Sequence, residues 1–303
     1  MRKTAVLLAI AGLSIAATAQ GEIIYGITGS LAGGSLFNFD SATPGSTTVI
    51  DDFSLVVGSQ LLPGHGVRGI DFRPANGVLY ALSTNSSNFN EHQLYTVNLA
   101  TAALTRVGNT FLTTGVATSR VSIDFNPVAD RLRVVTSTDQ NYRVNPNTGA
   151  LVLQDTNLAW AVGDPFDGQN IAAVDVAYAN NVAGALTTIE YVWDFNSDVL
   201  GQLPNGTFNG GQVNLVGGPL DFITNDGGVG LDISGASGIA YFSYNSSVTN
   251  LETFATLNLA TGVPTTVGSF NLDVLDISVF IPSPSAAALL GLGGLAAARR
   301  RRA

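Results

Sequence analysis

One short pattern governs what this chain can become: an apolar strand with an aspartate at its centre, met five times. The copies are Gly69-Ile70-Asp71-Phe72, Ser122-Ile123-Asp124-Phe125, Ala173-Val174-Asp175-Val176, Gly230-Leu231-Asp232-Ile233 and Val274-Leu275-Asp276-Ile277. Their aspartates stand 53, 51, 57 and 44 residues apart. Solenoid repeats of about 20 to 35 residues are shorter than this, whereas the four-stranded blade of a β-propeller has about this length.

The segments after each copy repeat as well. After Asp71 come a turn at Asn76-Gly77, a strand Val78 to Ser83, a strand Gln93 to Asn98, and Leu104 to Gly108. After Asp124 the order returns as Arg131 to Thr136, Asn141 to Val144, the turn Asn145 to Gly149, and Ala150 to Gln154. After Asp232 it is Ile239 to Tyr244, Phe254 to Asn258, and Thr265 to Gly268. The unit after Asp175 is the least regular, with Tyr191 to Phe195 as one strand and Val213 to Val216 as its outer one. Ile23 to Ile27, Ser35 to Phe39 and Thr47 to Asp51 form three strands that no aspartate strand precedes, while Val274 to Phe280 is an aspartate strand with no blade after it. Pairing the two ends makes a fifth blade and leaves no open edge. The expected fold is all-β, a five-bladed β-propeller closed by its N- and C-terminal strands; the alternatives are a β-sandwich and a propeller with another blade number.

Gly69 to Leu82, Asp124 to Val134 and Asn141 to Gly149 resemble the hallmarks of a bacterial family, domain of unknown function 4394. The resemblance spans most of residues 24–270. It implies a secreted β-rich domain and brings no catalytic residues with it.

The ends carry addresses. Arg2 and Lys3, the apolar run Ala5 to Ile15 and the small-x-small pattern Ala17-Thr18-Ala19 read as a signal peptide over residues 1–19, cleaved between Ala19 and Gln20. The domain is placed at 20–280, and residues 281–303 form a separate tail. There Pro282-Ser283-Pro284 breaks regular structure, Ala286 to Ala298 is small and apolar, and Arg299 to Arg302 is a basic cluster. As a helix the apolar run is about 20 Å long, short of the bilayer's hydrocarbon core of about 30 Å. Its arginines are expected to stay cytoplasmic. The tail resembles the PEP-CTERM sorting signal, with Ser283 where that signal usually has glutamate. The resemblance implies contact with the export machinery, cutting near the motif by an exosortase-like membrane protease, and residence at the cell envelope or surface, or release into the medium after processing. Simple anchoring of the tail in the membrane is the alternative.

Charge and composition exclude several chemistries. Between the terminal segments lie seven arginines and all 22 acidic residues, a formal charge of about −15, which argues against nucleic acid as a partner. Lys3 is the only lysine, so the mature chain has neither a P-loop nor a Schiff base. Cysteine is absent, which removes disulfides, thiol catalysis and thiolate-bound zinc. His65 and His92 are the only histidines; the first reads as a solvated loop residue and the second as part of a polar turn, and no G-x-S-x-G elbow accompanies them.

Carboxylates remain. If the aspartate strands are innermost, Asp71, Asp124, Asp175, Asp232 and Asp276 ring the channel, where they are candidates for holding calcium or for acid–base work. The favoured reading is structural: each carboxylate accepts backbone donors from the neighbouring blade. Asp164 to Asn170 faintly resembles a calcium loop but lacks its spacing and closing glutamate, and reads as a turn. No catalytic residues and no cofactor are assigned. Two function classes remain: a noncatalytic envelope or matrix propeller binding a glycan or an envelope protein, or a polysaccharide hydrolase or lyase using channel carboxylates.

Overall fold

The computed structural model describes residues 21–29, 33–116, 118, 120–218 and 224–282. The signal-peptide site at Ala19 and Gln20, and Ser283 and Pro284 of the tail motif, lie outside them; Pro282 is the last residue described.

Five small sheets, antiparallel except for one short edge strand, stand in a ring. Blade 1 is β1 (Ile23–Ile27), β2 (Ser35–Asp40) and β3 (Thr48–Asp52), with β21 (Asp276–Val279) on its inner side. Blade 2 is β4 (His65–Arg73), β5 (Val78–Asn85), β6 (Asn88–Val97) and β7 (Leu104–Leu112). Blade 3 is β8 (Val121–Asn126), β9 (Arg131–Thr136), β10 (Asn141–Val144) and β11 (Leu151–Gln154). Blade 4 is β13 (Ala173–Tyr178), β14 (Glu190–Asp194), β15 (Val199–Leu203) and β16 (Gln212–Val216), and blade 5 is β17 (Thr224–Ile233), β18 (Ala240–Ser246), β19 (Glu252–Leu257) and β20 (Pro264–Ser269). Sequence reading misses two strands of blade 4: β15 (Val199–Leu203), which lies between β14 and β16, and β12 (Ala159–Trp160), two residues long, which adds to the outer edge in parallel with β16.

The ends of the chain close the ring as expected, with β1 and β21 paired antiparallel from Ile24↔Val279 to Ile27↔Asp276. Glu22 reinforces the closure from the other side by accepting hydrogen bonds from Ser237 Oγ and Tyr241 OH of blade 5, each at 2.8 Å.

Stability comes from five apolar clusters, each lying between two neighbouring blades. Phe72 and Tyr95 of blade 2 pack with Ile27 and Leu36 of blade 1; Leu82 and Leu94 meet Phe125 and Leu132; Val135 joins the cluster around Tyr178 and Trp160; Trp193 meets Phe242; and Phe254 meets Phe37 and Phe39. Alternation along each strand sends successive side chains to the two flanking clusters, so every blade contributes to two interfaces. The innermost strands also come very close. A Cβ on Gly230 would lie 2.8 Å from the backbone nitrogen of Ile277, and one on Gly69 3.3 Å from that of Ile123. Glycine two residues before Asp232 is therefore required by the approach of the next blade, whereas the same position before Asp71 is tight and the other three copies carry Ser122, Ala173 and Val274 there.

Candidate functional site

The five aspartates lie where β4, β8, β13, β17 and β21 face the axis, and each is at most 3% exposed. Each carboxylate reaches one blade onward. Asp276 accepts from Ile70 N at 2.7 Å, Asp71 from Phe125 N at 2.7 Å, Asp175 from Leu231 N at 2.5 Å and Asp232 from Val279 N at 2.6 Å, while Asp124 accepts from Tyr178 N. Blade 1 is thus tied to 2, 2 to 3, 3 to 4, 4 to 5, and 5 back to 1. Burial pushes Asp71, Asp124, Asp175 and Asp276 well above the usual carboxylate range and Asp232 up to about 6, against the pull of these donors. Beside Asp175 and Asp276, under Arg68 and Arg120, the channel opens into a cavity of about 20 Å³. That is room for about one water and far too little for a sugar ring.

Both histidines differ from their sequence reading. His65 opens β4 instead of sitting in a loop, His92 lies within β6 instead of in a turn, and they are 2% and 1% exposed. Ser83 Oγ lies 2.8 Å from His65 Nδ1 and Glu91 Oε1 lies 3.6 Å from Nε2, the residue types of a nucleophile–base–acid chain. Ser83, however, is fully buried, so no substrate reaches it. His92 is held between Thr84 Oγ1 at 3.0 Å and Thr113 Oγ1 at 3.2 Å. Burial, helped by His65, pushes it down to about 4. The folded protein thus favours neutral His92, whereas the unfolded chain takes up a proton once pH falls below about 6.5. Stability is expected to drop between about pH 6.5 and pH 4 by up to about 3 kcal/mol from this group. Urea midpoints at pH 7 and pH 5 for the wild type and His92→Gln check it: the wild type should lose more on acidification. The buried aspartates act in the opposite sense, and the comparison of the two proteins subtracts them.

The Asp164 to Asn170 segment is a turn tied by its own acids: Asp164 accepts from Phe166 N at 3.0 Å and from Leu215 N at 2.8 Å, and Asp167 from Gly163 N at 2.9 Å.

A site that sequence reading does not single out lies at the seam of blades 3 and 4. It is a cavity of about 210 Å³ lined by Arg131, Arg133 and Arg143, the asparagines Asn126, Asn205 and Asn209, and the apolar Val128, Ala129 and Phe208. Three of the seven arginines of an otherwise acidic domain meet here. Arg133 forms the floor. It is 2% exposed and donates to Asp155 Oδ2 and Asn141 Oδ1, both at 2.7 Å, to Tyr178 OH at 3.0 Å and to Asn209 Oδ1 at 3.1 Å. Tyr178 OH passes a hydrogen bond to Glu190 at 2.7 Å. Burial opposes the charge on Arg133, but Tyr178, Glu190 and Asp155 outweigh it and hold its pKa above the ordinary arginine value. Burial raises Glu190, with Arg133 pulling the other way.

The remaining two arginines differ in freedom. Arg143 grips Asp155 with two bonds of 2.8 Å. Arg131 donates only to the carbonyl of Asp130, at 2.9 Å, and among the described residues no carboxylate pairs with it. The Asp130 carboxylate is already taken by Arg73, at 2.7 and 2.5 Å, and is held below the usual range by it and, less strongly, by the charge on Arg131. The cavity therefore presents one guanidinium that forms no salt bridge among the described residues, planar amides and an apolar wall. This suits a small anion with hydroxyl groups.

The fold and its ring of aspartates define a class: a five-bladed β-propeller whose channel is closed by inter-blade carboxylate bonds. The chain belongs to the family described as Domain of unknown function (DUF4394), whose profile matches residues 35–278. No curated protein matches it. Among solved structures it is similar to glutaminyl cyclase from Myxococcus xanthus, at 13% identity and a TM-score of 0.40 over 69% of this chain and 76% of that one. It is also similar to a protein from Bacteroides uniformis provisionally described as a 6-phosphogluconolactonase, at 13% identity and a TM-score of 0.41 over 82% of each chain. Neither likeness bears on activity here.

Proposed function

We propose that this protein is a noncatalytic, exported propeller of the cell envelope or matrix that binds an acidic glycan in the cavity between blades 3 and 4. The observation that carries the reading is Arg131, an arginine in no salt bridge among the described residues, which lines a cavity of about 210 Å³ in a domain of strongly acidic charge. Such a cavity is smaller than the roughly 300–1,000 Å³ that drug-sized ligands occupy and matches a single sugar unit. A uronate carboxylate would pair with Arg131, its hydroxyls with Asn126, Asn205 and Asn209, and its C–H face with Val128 and Phe208.

The channel argues for binding over hydrolysis. Glycoside hydrolysis needs two carboxyl groups flanking the sugar, and a cavity of about 20 Å³ beside aspartates engaged with backbone donors leaves no place for one. Export and retention rest on the signal-like residues 1–19 and the sorting-like tail 281–303. Purified protein on an array of acidic and neutral glycans, with and without calcium, tests the reading. Uronate-containing glycans should be retained over their neutral counterparts, and Arg131→Ala should lose about tenfold or more, the worth of one charge-assisted hydrogen bond. Equal retention of neutral glycans would set the proposal aside.

A further inference from the structure

We propose that Asp71, Asp124 and Asp232 together hold one calcium-sized divalent cation at the centre of the ring. One carboxylate oxygen from each lies within 4.8 Å of the others. An ion at the middle of a triangle with sides of that length sits within about 2.8 Å of each oxygen, and modest contraction brings it to the 2.3–2.6 Å of calcium–oxygen bonds.

The demand for a ligand comes from a separate observation. Asp124 is 1% exposed, yet its Oδ1 finds no hydrogen-bond partner among the described residues. A buried carboxylate oxygen without a donor is costly and rare, and it lies in the side chain that completes the triangle. Ser278 adds a second shortage. Its hydroxyl accepts from Phe72 N at 3.1 Å and lies 2.9 Å from Asp71 Oδ1 and 3.2 Å from Asp232 Oδ2, but its single proton serves only one of them at a time. The donors these three carboxylates do have are backbone N–H groups and that hydroxyl, all neutral. A hard cation supplies the missing charge, and Ser278 Oγ is placed to serve as a fourth oxygen. The ion would join blades 2, 3 and 5 at the point where their innermost strands meet.

The test uses the full-length protein, loaded with calcium, dialysed into calcium-free buffer and assayed for bound metal and thermal midpoint. About one calcium per chain should remain. At calcium 100-fold above Kd the midpoint should rise by about 5 °C over that in chelator. Asp124→Asn should abolish both effects, while Asp167→Asn in the Asp164 to Asn170 turn should keep both. If Asp124→Asn does not fold, Asp71→Asn takes its place. No retained calcium together with equal midpoints in calcium and chelator would overturn the proposal, leaving protons to neutralise the cluster. So would retention by Asp124→Asn or loss in Asp167→Asn, either of which puts the ion elsewhere.

Discussion

A chain ending at Asp273 is expected to be unstable or to aggregate, while one ending at Pro282 melts like the full-length protein. The first truncation deletes β21. That strips β1 of its inner partner, exposing an unpaired edge at the seam of the ring. It removes Val274, Ile277 and Val279, which are at most 4% exposed, and buried apolar side chains of this size are worth about 2–5 kcal/mol each when cut to alanine. Two of the five inter-blade bonds go as well, Asp276 to Ile70 N and Val279 N to Asp232. Against a total stability of about 5–15 kcal/mol, a loss of this size leaves no folded ring. The second truncation touches none of these contacts. Calorimetry on the two proteins decides: matching midpoints would mean that the closing strand does not hold the propeller together.

The second large effect is expected at Arg133. Replacing it with leucine keeps much of the volume but leaves Glu190, which is fully buried, without its cation, while Asp155 keeps Arg143. Removing one partner of a buried pair typically costs about 3–5 kcal/mol, because the remaining charge stays desolvated. In a domain of about 260 residues this corresponds to roughly 10 °C in thermal midpoint. Adding Glu190→Gln to Arg133→Leu should recover part of the loss, since the stranded charge is then gone. A single variant melting within 2 °C of the wild type would show that the network carries little of the stability (about 1 kcal/mol or less).

The ring was legible because its signal is local and repeated. An aspartate between apolar neighbours in a strand must face away from them, and five copies at blade-like spacing leave few arrangements other than a closed circle. The carboxylate-to-backbone bonds then result from satisfying a buried acid. The cavity between blades 3 and 4 carries no such signal. Arg131 and Arg133 stand two apart in β9 and read as the ordinary polar face of a strand; Asn205 and Asn209 join them only because blade 4 packs against blade 3. His65 escaped because Pro63-Gly64 punctuates the sequence as a loop, whereas Gly64, at φ 76°, makes the turn and the strand begins one residue later. His92 lies in an extension of the β5–β6 hairpin whose residues, Asn88 to Glu91, show no alternation. Two-residue β12 is too short for any periodicity to announce it.

Binding of an acidic sugar at the Arg131 cavity is tested most directly by calorimetric titration of a galacturonate tetrasaccharide, with the neutral galactose tetrasaccharide as control. The account predicts saturable binding of the acidic ligand that weakens with added salt, no comparable binding of the neutral one, and at least about tenfold weaker binding by Arg131→Ala at unchanged thermal midpoint. Equal affinity for the two sugars, or an Arg131→Ala protein that binds as the wild type does, would contradict it.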